Sequence, residues 1–367
     1  MKIAILAPAN NVHTKKWLDF YNSKGYQVLN ISFDSHTDHE DRTMWPNVQT
    51  HYLKLKFSNK LSYFLTVPEI KQQLKSFRPD ILHSHYVSSY GLVGAMANFH
   101  PYMISVWGMD IYDFPKEGKL NTYMVKYALG KADVIGSTSH VMKEVTAQYT
   151  NKPIDVTPFG VDMEKFKPLP DRKPNEIVTF GIVKTMAEKY GIRYLLEGYA
   201  ELKQMVPPEA FEMTKLEIVG PGPKLEEYQE LAKSLKIDGQ TVFHGRVPHA
   251  KVPELINSFD VFFVPSTLDS ESFGVAAVEA QACEVPVVVA NVGGLPEVVK
   301  DGETGFIVPT KDSTALAEKM KLFMEDPVLG RDMGRKGREH VLSLYRWEEN
   351  AELMSDIYER TLAGRVR

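Results

Sequence analysis

Hydrophobic residues in this chain occur in short continuous runs, separated by segments with helical spacing. The runs are rich in Val, Ile, Leu and Phe, which is typical of strands buried on both faces of a parallel sheet. They predict strands at residues 3–7, 26–31, 79–85 and 102–106 in the first half, and near 177–181, 216–219, 242–247, 261–264 and 287–290 in the second. Strands that alternate with helices in this way predict an α/β protein built from doubly wound sheets.

The length of the chain, 367 residues, exceeds what one ordinary hydrophobic core organises. A proline-rich, charged stretch at 166–174 separates the two sets of runs and reads as a linker. We therefore predict a first domain at 1–168 and a second at 175–345. The remaining residues, 346–367, are predicted to form an amphipathic helix.

Composition narrows the class of protein. The hydrophobic share of 43% and the charged share of 25% are those of a soluble globular protein. The single cysteine, Cys283, excludes a disulfide framework and fits a reducing compartment. No apolar run is long enough to span a membrane, and the apolar run after Lys2 is too short for a signal peptide. The expected location is the cytoplasm.

The net charge of −4 is unevenly distributed. Residues 1–168 carry a net +4 and the rest −8, so the first half could lie near anionic lipid or a phosphorylated acceptor. The excess of positive charge is too small to indicate nucleic-acid binding, and the sequence contains no recognisable nucleic-acid-binding module. Residues 51–64 hold basic and aromatic side chains that could contact lipid headgroups, although an edge strand protected by lysines explains them too; these side chains are Lys54, Lys56, Phe57, Lys60, Tyr63 and Phe64.

The most informative stretch is 260–283, which reads as a strand, a polar loop and a buried helix. The helix is predicted to begin at Phe273, so that its first amides attract an anion such as phosphate. Glu271 and Glu279 bracket this helix start, and eight helical residues rise roughly 12 Å. That span exceeds the roughly 5–9.5 Å between the carboxyls of a glycosidase. It suits a ligand with hydroxyls at both ends and phosphates between them, while two solvated glutamates on a capped helix remain the alternative.

The same stretch resembles the donor site of retaining GT-B glycosyltransferases of family 4, the group 1 glycosyl transferases. The resemblance rests on two glutamates with seven residues between them, on FGV and VEA beside them, and on FFVPS, PVVVANVGGLPEVV and DGETGFIVP. It implies two doubly wound, Rossmann-like domains facing across a cleft, with the C-terminal helix crossing back to the first domain. It also implies that Glu271 binds the donor sugar, the amides of Phe273, Gly274 and Val275 bind phosphate, and Glu279 binds the ribose diol.

Further donor-side residues follow from the resemblance. Gly181 begins a loop in which Lys184 and Lys189 correspond to the cations that hold the diphosphate. Relatives usually carry an arginine after the glycine, and Lys184 is the nearest substitute here. Arg246 and Val247 correspond to the loop that holds the nucleobase through backbone groups, although an ordinary loop explains them equally well.

The first domain departs from the family pattern at two places. Asn10 and Asn11 stand where relatives carry a glycine pair, and Trp107 stands where they carry a cleft histidine. His85 is predicted to line the cleft, while the neighbouring His83 could be a satisfied core residue. Asp110 is predicted to act as a polar group on the acceptor side.

The predicted activity is hexosyl transfer with retention, from a UDP- or GDP-sugar to a hydroxyl of a sugar or lipid-linked acceptor, as in bacterial-type polysaccharide, glycolipid or glycoconjugate synthesis. No Asp-x-Asp motif is present, so neither a metal nor a cofactor is expected, and lysines and amides replace the cation. Peripheral contact of the first domain with the inner face of the cell membrane is a further expectation. The alternatives are a nucleotide-sugar epimerase of the same two-lobed fold and a non-catalytic protein that binds sugar nucleotides or lipid.

Overall fold

A computed structural model describes residues 1–38, 45–57, 61–170 and 176–364. The chain divides into two compact units, of which unit 1 is Met1–Pro158 with Ala351–Arg367 and unit 2 is Phe159–Asn350. Residues 159–168, predicted as the end of the first domain, lie in unit 2, where Val161 hydrogen-bonds Tyr345 and Trp347. Residues 171–174 of the predicted linker and Lys60 of the predicted lipid-contact stretch lie outside the described residues.

Unit 1 is built on a parallel sheet of seven strands in the order β3-β2-β1-β4-β5-β6-β7. Its central strands are buried on both faces, as their continuous apolar runs predict. The strands are β1 (Lys2–Leu6), β2 (Gln27–Phe33), β3 (Val48–Leu53), β4 (Ile81–His85), β5 (Tyr102–Val106), β6 (Val134–Ser137) and β7 (Ile154–Val156). The strand order reverses direction between β1 and β4, which makes this the topological switch point of the sheet.

Helices cover both faces of this sheet. They are α1 (Val12–Ser23), α2 (Leu61–Phe64), α3 (Val67–Phe77), α4 (Ser89–Ala97), α5 (Met109–Tyr112), α6 (Lys119–Lys131) and α7 (His140–Ala147), with 3-10 turns at Asp34–His36 and Phe114–Glu117. Residues 51–53 belong to the edge strand β3, where His51 lies 2.7 Å from Glu69. Lys54, Lys56 and Phe57 follow the strand and are exposed. Tyr63 packs on Phe33 with ring centroids 4.6 Å apart. This residue of the predicted lipid-contact stretch therefore lies against the core, and contact of the stretch with lipid stays a prediction.

Unit 2 repeats the arrangement with six parallel strands in the order β10-β9-β8-β11-β12-β13. The strands are β8 (Val178–Val183), β9 (Thr214–Val219), β10 (Thr241–Gly245), β11 (Val261–Val264), β12 (Val287–Ala290) and β13 (Gly305–Val308). The helices are α8 (Ile192–Met205), α9 (Pro208–Glu212), α10 (Leu225–Ser234), α11 (Val252–Ser258), α12 (Val275–Ala282), α13 (Leu295–Val298), α14 (Ser313–Glu325) and α15 (Pro327–Leu344), with 3-10 turns at Glu188–Tyr190 and His249–Lys251. Its switch point lies between β8 and β11.

The last helix, α16 (Trp347–Ala363), begins in unit 2 and continues into unit 1, as the predicted crossover helix requires. Within unit 1 the hydroxyl of Tyr358 on α16 lies 2.6 Å from Nδ1 of His83 on β4 and 2.9 Å from the hydroxyl of Tyr21 on α1. All three residues are fully buried. This polar chain fixes α16 to the first sheet, and the predicted α/β architecture of two doubly wound sheets is confirmed.

Candidate active site

The switch point of unit 2 holds an ion pair. Lys184 is the first residue after β8, and Glu271 lies in the loop after β11, the strand beside it. The Lys184 Nζ lies 2.9 Å from Oε1 and 2.8 Å from Oε2 of Glu271. The two side chains are only 15% and 9% exposed. Because the carboxyl ends of parallel strands at a switch point are where such sheets bind ligands, the pair stands at the expected binding edge.

Neighbouring groups hold Glu271 in place. The Ser266 hydroxyl, at the end of β11, donates a hydrogen bond to Glu271 Oε2 at 3.0 Å. The Glu271 carbonyl accepts from the Gly294 amide at 2.9 Å. The carboxylate therefore has two donors, Lys184 and Ser266, which fix its orientation before any ligand binds.

An aromatic ring brings the two predicted cations together. The Nζ atoms of Lys184 and Lys189 lie 4.7 Å and 4.8 Å from the ring centroid of Tyr190, within the range of cation–π attraction. The Lys189 carbonyl accepts a hydrogen bond from the Thr267 amide at 2.8 Å, which ties this loop to the one after β11. Gly191, which follows Tyr190, has φ +67°, and a Cβ there would lie 1.9 Å from the Pro265 carbonyl oxygen, so only glycine allows this approach.

The start of α12 forms the second part of this edge. The helix begins at Val275, two residues later than predicted, with Gly274 in the left-handed conformation at φ +87°. The side chain of Phe273 is buried against the rings of Phe159 and Tyr345, which is why it precedes the helix. Within the described ranges no side chain caps this helix, and the amides of Phe273, Gly274 and Val275 donate to no carbonyl. Glu279 lies half-buried in the next turn.

The other predicted donor residues have different surroundings. Gly181 lies inside β8 and not at the start of the loop, because β8 continues to Val183. A Cβ at Gly181 would lie 2.1 Å from the Phe259 ring, so this glycine is required for packing inside unit 2. Arg246 is exposed and Val247 half-buried just after the edge strand β10.

The switch point of unit 1 contains mainly neutral groups. Asn11 caps α1, since its side-chain oxygen accepts from the amides of His13 and Thr14 at 2.8 and 3.3 Å. Its side-chain nitrogen donates to the Tyr86 hydroxyl at 3.2 Å. Asn10 is exposed in the turn before it. Asn11 is therefore a helix cap that also links the loops after β1 and β4, a role that sequence reasoning missed although asparagine before a helix indicates it.

Two buried histidines on β4 have opposite surroundings. The ring nitrogens of His83 lie 2.6 Å from the Tyr358 hydroxyl and 2.8 Å from the Ser105 hydroxyl. Neither ring nitrogen of His85 has a hydrogen-bond partner in the part of the chain that the structure describes. Burial lowers the pKa of His83 to about 3, and burial together with the nearby imidazoles of His83 and His13 holds the pKa of His85 well below its usual range. Both side chains are therefore neutral near pH 7.

Trp107 and Asp110 complete this edge. The Trp107 ring lies 4.2 Å from the His85 ring and 5.1 Å from the Tyr86 ring, centroid to centroid. Asp110 is buried, and its carboxylate accepts from the amides of Val87, Trp107 and Gly108 at 2.7–3.1 Å. Burial raises the pKa of Asp110, and these hydrogen bonds oppose the rise. Asp110 therefore positions the loops after β4 and β5, and most of the hydrogen-bonding capacity of its carboxylate is satisfied inside unit 1.

Comparison with known families decides the class. The family described as "Glycosyl transferases group 1" matches residues 163–340, and the family "Glycosyl transferase 4-like" matches residues 2–139. The chain belongs to the group 1 glycosyltransferases. The predicted recognition and the predicted hexosyltransferase class are thereby confirmed.

Individual relatives of this glycosyltransferase are distant. It is 25% identical over 337 residues to the N-acetyl-alpha-D-glucosaminyl L-malate synthase of Bacillus anthracis, covering 86% of this chain and 84% of that protein. A GDP-mannose-dependent alpha-(1-6)-phosphatidylinositol monomannoside mannosyltransferase of Mycolicibacterium smegmatis is 32% identical over 221 residues, 57% of this chain and 56% of that protein. Among solved structures, Anabaena Alr3699/HepE in complex with UDP has a TM-score of 0.83 at 19% identity, covering 98% of this chain and all of the other. This likeness shows the GT-B fold.

Two residues at the β8–β11 switch point of this glycosyltransferase were not anticipated. Ser266 orients Glu271, and Tyr190 contacts both lysines. The serine stood within the recognised FFVPS segment, and the tyrosine directly follows Lys189, so each had a signal in its position. Their roles depend on side-chain directions that the sequence does not give.

Among the described residues, no three His, Cys, Asp or Glu side chains are grouped closely enough to hold a metal ion. In the same residues, no helix has the length and apolar character needed to cross a membrane.

Proposed function

We propose that this glycosyltransferase moves a hexose, with retention of anomeric configuration, from a UDP- or GDP-sugar to a hydroxyl of a sugar or lipid-linked acceptor. The donor is proposed to bind unit 2. A nucleotide-sugar donor is supported by one relative that is named for GDP-mannose and by one structural neighbour that was solved with UDP. The proposal includes metal-independent chemistry and acceptor recognition by unit 1.

The observation that carries this proposal is the grouping at the β8–β11 switch point. A paired Lys184 and Glu271 lie at the same sheet edge as the unbonded amides that begin α12. Amide donors at a helix start bind phosphate, while an oriented carboxylate accepts hydrogen bonds from sugar hydroxyls. Glu279, eight residues beyond Glu271, is proposed to accept from the ribose diol.

The protein's chemical contribution is then electrostatic. Negative charge grows on the diphosphate as the glycosidic bond breaks, so cations and amides aimed at it stabilise the transition state more than the ground state. Lys189 is the proposed main cation. Lys184 is compensated by Glu271 in the described structure, so its proposed role is shared between holding the carboxylate that grips the sugar and neutralising the leaving group.

The experiment begins with donor binding, measured by calorimetry on the whole chain with UDP, GDP and their hexose derivatives. We expect Glu279→Ala to weaken binding of the bare nucleotide by roughly tenfold, which is the loss of a hydrogen bond to a charged group. Glu271→Ala should leave nucleotide affinity nearly unchanged and reduce turnover. Glu197→Ala, at a half-buried glutamate on α8, is the matched control.

Product analysis decides the reaction class. NMR of the anomeric proton should show transfer with the configuration of the donor retained. Conversion of the donor to its epimer without an acceptor would favour the epimerase, and binding without turnover would favour a non-catalytic protein. Equal nucleotide affinity in the wild type and Glu279→Ala would contradict the assignment of the ribose site.

A further inference from the structure

The most exposed large apolar side chains of the described residues lie one helical turn apart in unit 1. Tyr123 is 67% exposed and Leu120 is 65% exposed, both on α6. The opposite side of α6 holds Val125, Ala128 and Leu129 in the core. The helix therefore packs on unit 1 with one face and presents two adjacent apolar side chains to solvent on the other. Adjacent exposed apolar side chains, unlike scattered ones, mark interaction surfaces.

The charge on α6 has one sign. Its thirteen residues include three lysines and no acidic residue. At 100° per residue the lysines and the two apolar side chains fall within an arc of roughly 140°, and the lysines are exposed. We call this surface the α6 face, defined by Lys119, Leu120, Tyr123, Lys126 and Lys131.

The α6 face begins at the carboxyl edge of the first sheet, because a crossover helix runs back along the strands from that edge. Other exposed apolar side chains of unit 1 come from segments that also follow carboxyl ends of strands: Val12 after β1, Phe57 and Leu65 after β3, and Met109 after β5. Leu353 on α16 is the exception among those of unit 1 in the described residues. Exposed apolar groups are therefore concentrated on the edge that includes Trp107 and His85.

We propose that the α6 face docks this glycosyltransferase on an anionic phospholipid surface. Leu120 and Tyr123 enter the boundary between headgroups and acyl chains, while the lysines keep their charged ends among the lipid phosphates. The one acidic side chain just before the helix, Glu117, accepts a hydrogen bond from Asn121 on α6. Three exposed lysines and no acid within α6 make this surface complementary to an anionic leaflet and not to a neutral one. The inference rests on the proposed function for its purpose, which is to bring the carboxyl edge of unit 1 close to a lipid-linked acceptor.

The test is flotation of the full chain with vesicles of phosphatidylcholine, with or without phosphatidylglycerol, in the absence of donor. We expect binding to the mixed vesicles, weakening at high salt, and little binding to phosphatidylcholine alone. The double variant Leu120→Ser, Tyr123→Ser should bind at least tenfold more weakly. Neutralising Lys119, Lys126 and Lys131 to glutamine should cost about fivefold per lysine.

Matched controls lie on unit 2. Val328→Ser removes an apolar side chain of similar exposure, 64%, and Lys233→Gln removes an exposed lysine; both should bind vesicles as the wild type does. Thermal melts check that each variant is folded. Failure of the wild type to bind the mixed vesicles, or equal binding by all variants, would overturn the proposal.

Light scattering tests whether a second copy of this chain, and not lipid, covers the α6 face. If the wild type formed a dimer that the serine variants abolished, the α6 face would be an interface between two copies and the lipid proposal would be wrong. Donor turnover with a soluble acceptor is measured separately. If the wild type turns over the donor but does not bind the mixed vesicles, only this inference is contradicted. If it binds the vesicles but does not turn over any donor, only the proposed function is contradicted.

Discussion

The two sheets have the same strand order around their switch points, yet the edges there are chemically opposite. In unit 2 the loops after β8 and β11 meet through the ion pair between Lys184 and Glu271. In unit 1 the loops after β1 and β4 meet through neutral groups, the Asn11 side chain and the Tyr86 hydroxyl. The same topology thus supports a charged edge in one unit and a neutral, aromatic edge in the other.

We propose that this difference reflects what each edge binds. A diphosphate requires compensating charge and preorganised donors, which the unit 2 edge provides. The unit 1 edge holds neutral groups instead, among them the Trp107 ring against the buried His85 ring, and we propose that this edge recognises a sugar or lipid-linked hydroxyl. The fold places both edges, and the side chains set the division of labour that we propose.

The largest effect is expected from removing Lys189, the proposed main cation of the charged edge. Lys189→Ala should lower kcat about 10²-fold or more, with a smaller rise in KM, because the charge acts on the leaving diphosphate. Lys319→Ala is the matched control: its Nζ lies 4.2 Å from the Phe306 ring centroid, the same kind of contact that Lys189 makes with Tyr190. Steady-state kinetics on both variants test this. A near-wild-type kcat/KM for Lys189→Ala would show that the loop does not hold the donor phosphates.

The second effect concerns the coupling of Lys184 with Glu271. Either single change, Lys184→Met or Glu271→Gln, leaves the mostly buried partner without its counter-charge, so we expect the free energy of unfolding to fall by about 1–3 kcal/mol. The double variant should be no less stable than the worse single variant, because the two residues act as a unit. Lys184→Arg should keep the pair and the activity. Denaturant unfolding of these variants gives the coupling energy, and strictly additive losses would contradict it.

How far the sequence predicted these edges depends on how local each signal is. Glu271, Glu279 and the glycine before α12 lie within nine residues, so one strand–loop–helix pattern identified them together. The contact between Lys184 and Glu271 joins residues 87 positions apart and depends on β8 pairing with β11, which the pattern does not specify. The charge of Lys184 was therefore predicted for the phosphate alone, and its compensation by Glu271 was not foreseen.

The neutral edge was harder to predict because its residues have ordinary local roles. Asn11 is a helix cap, and the Asp110 carboxylate accepts hydrogen bonds from backbone amides. A polar residue type therefore did not indicate a side chain that is available to a ligand. For His83 and His85 the sequence offered two possible roles, a cleft residue and a satisfied core residue, without an observation that separates them. Their burial on the same strand follows from periodicity, but the partners of His83 come from α16 and β5, far away along the chain.

The third effect uses these two histidines as an internal control on stability. His83→Leu deprives the Tyr358 and Ser105 hydroxyls of their partner, whereas His85→Leu removes a ring whose nitrogens have no hydrogen bond in the described chain. We therefore expect His83→Leu to cost about 2 kcal/mol more in unfolding free energy than His85→Leu. Equal losses in denaturant unfolding would show that His85 is satisfied by ordered water.

The same pair predicts the response to acid. Burial lowers the folded-state pKa of His83 to about 3, while the unfolded value is about 6.5. The unfolded chain then binds more protons between these values, so stability is complete above about pH 6.5 and declines as the pH falls toward 3, by up to about 1.4 kcal/mol per pH unit for each such histidine. His83→Leu should flatten this decline in pH-dependent melts. An unchanged slope would contradict the assignment.

The smallest expected effect is that of a chelator, and it tests whether the charged edge is complete without a cation. A metal bridging a donor diphosphate would need carboxylates or imidazoles with free coordination capacity. Glu271 is already paired with Lys184, the Asp110 carboxylate is bound by three amides, and no group of three ligating side chains is found among the described residues. We therefore expect kcat/KM to be unchanged after treatment with EDTA. A complete loss of transfer that Mg²⁺ restores would show that the lysines and amides of unit 2 do not suffice, and would break the proposed contrast between a self-sufficient charged edge and a neutral one.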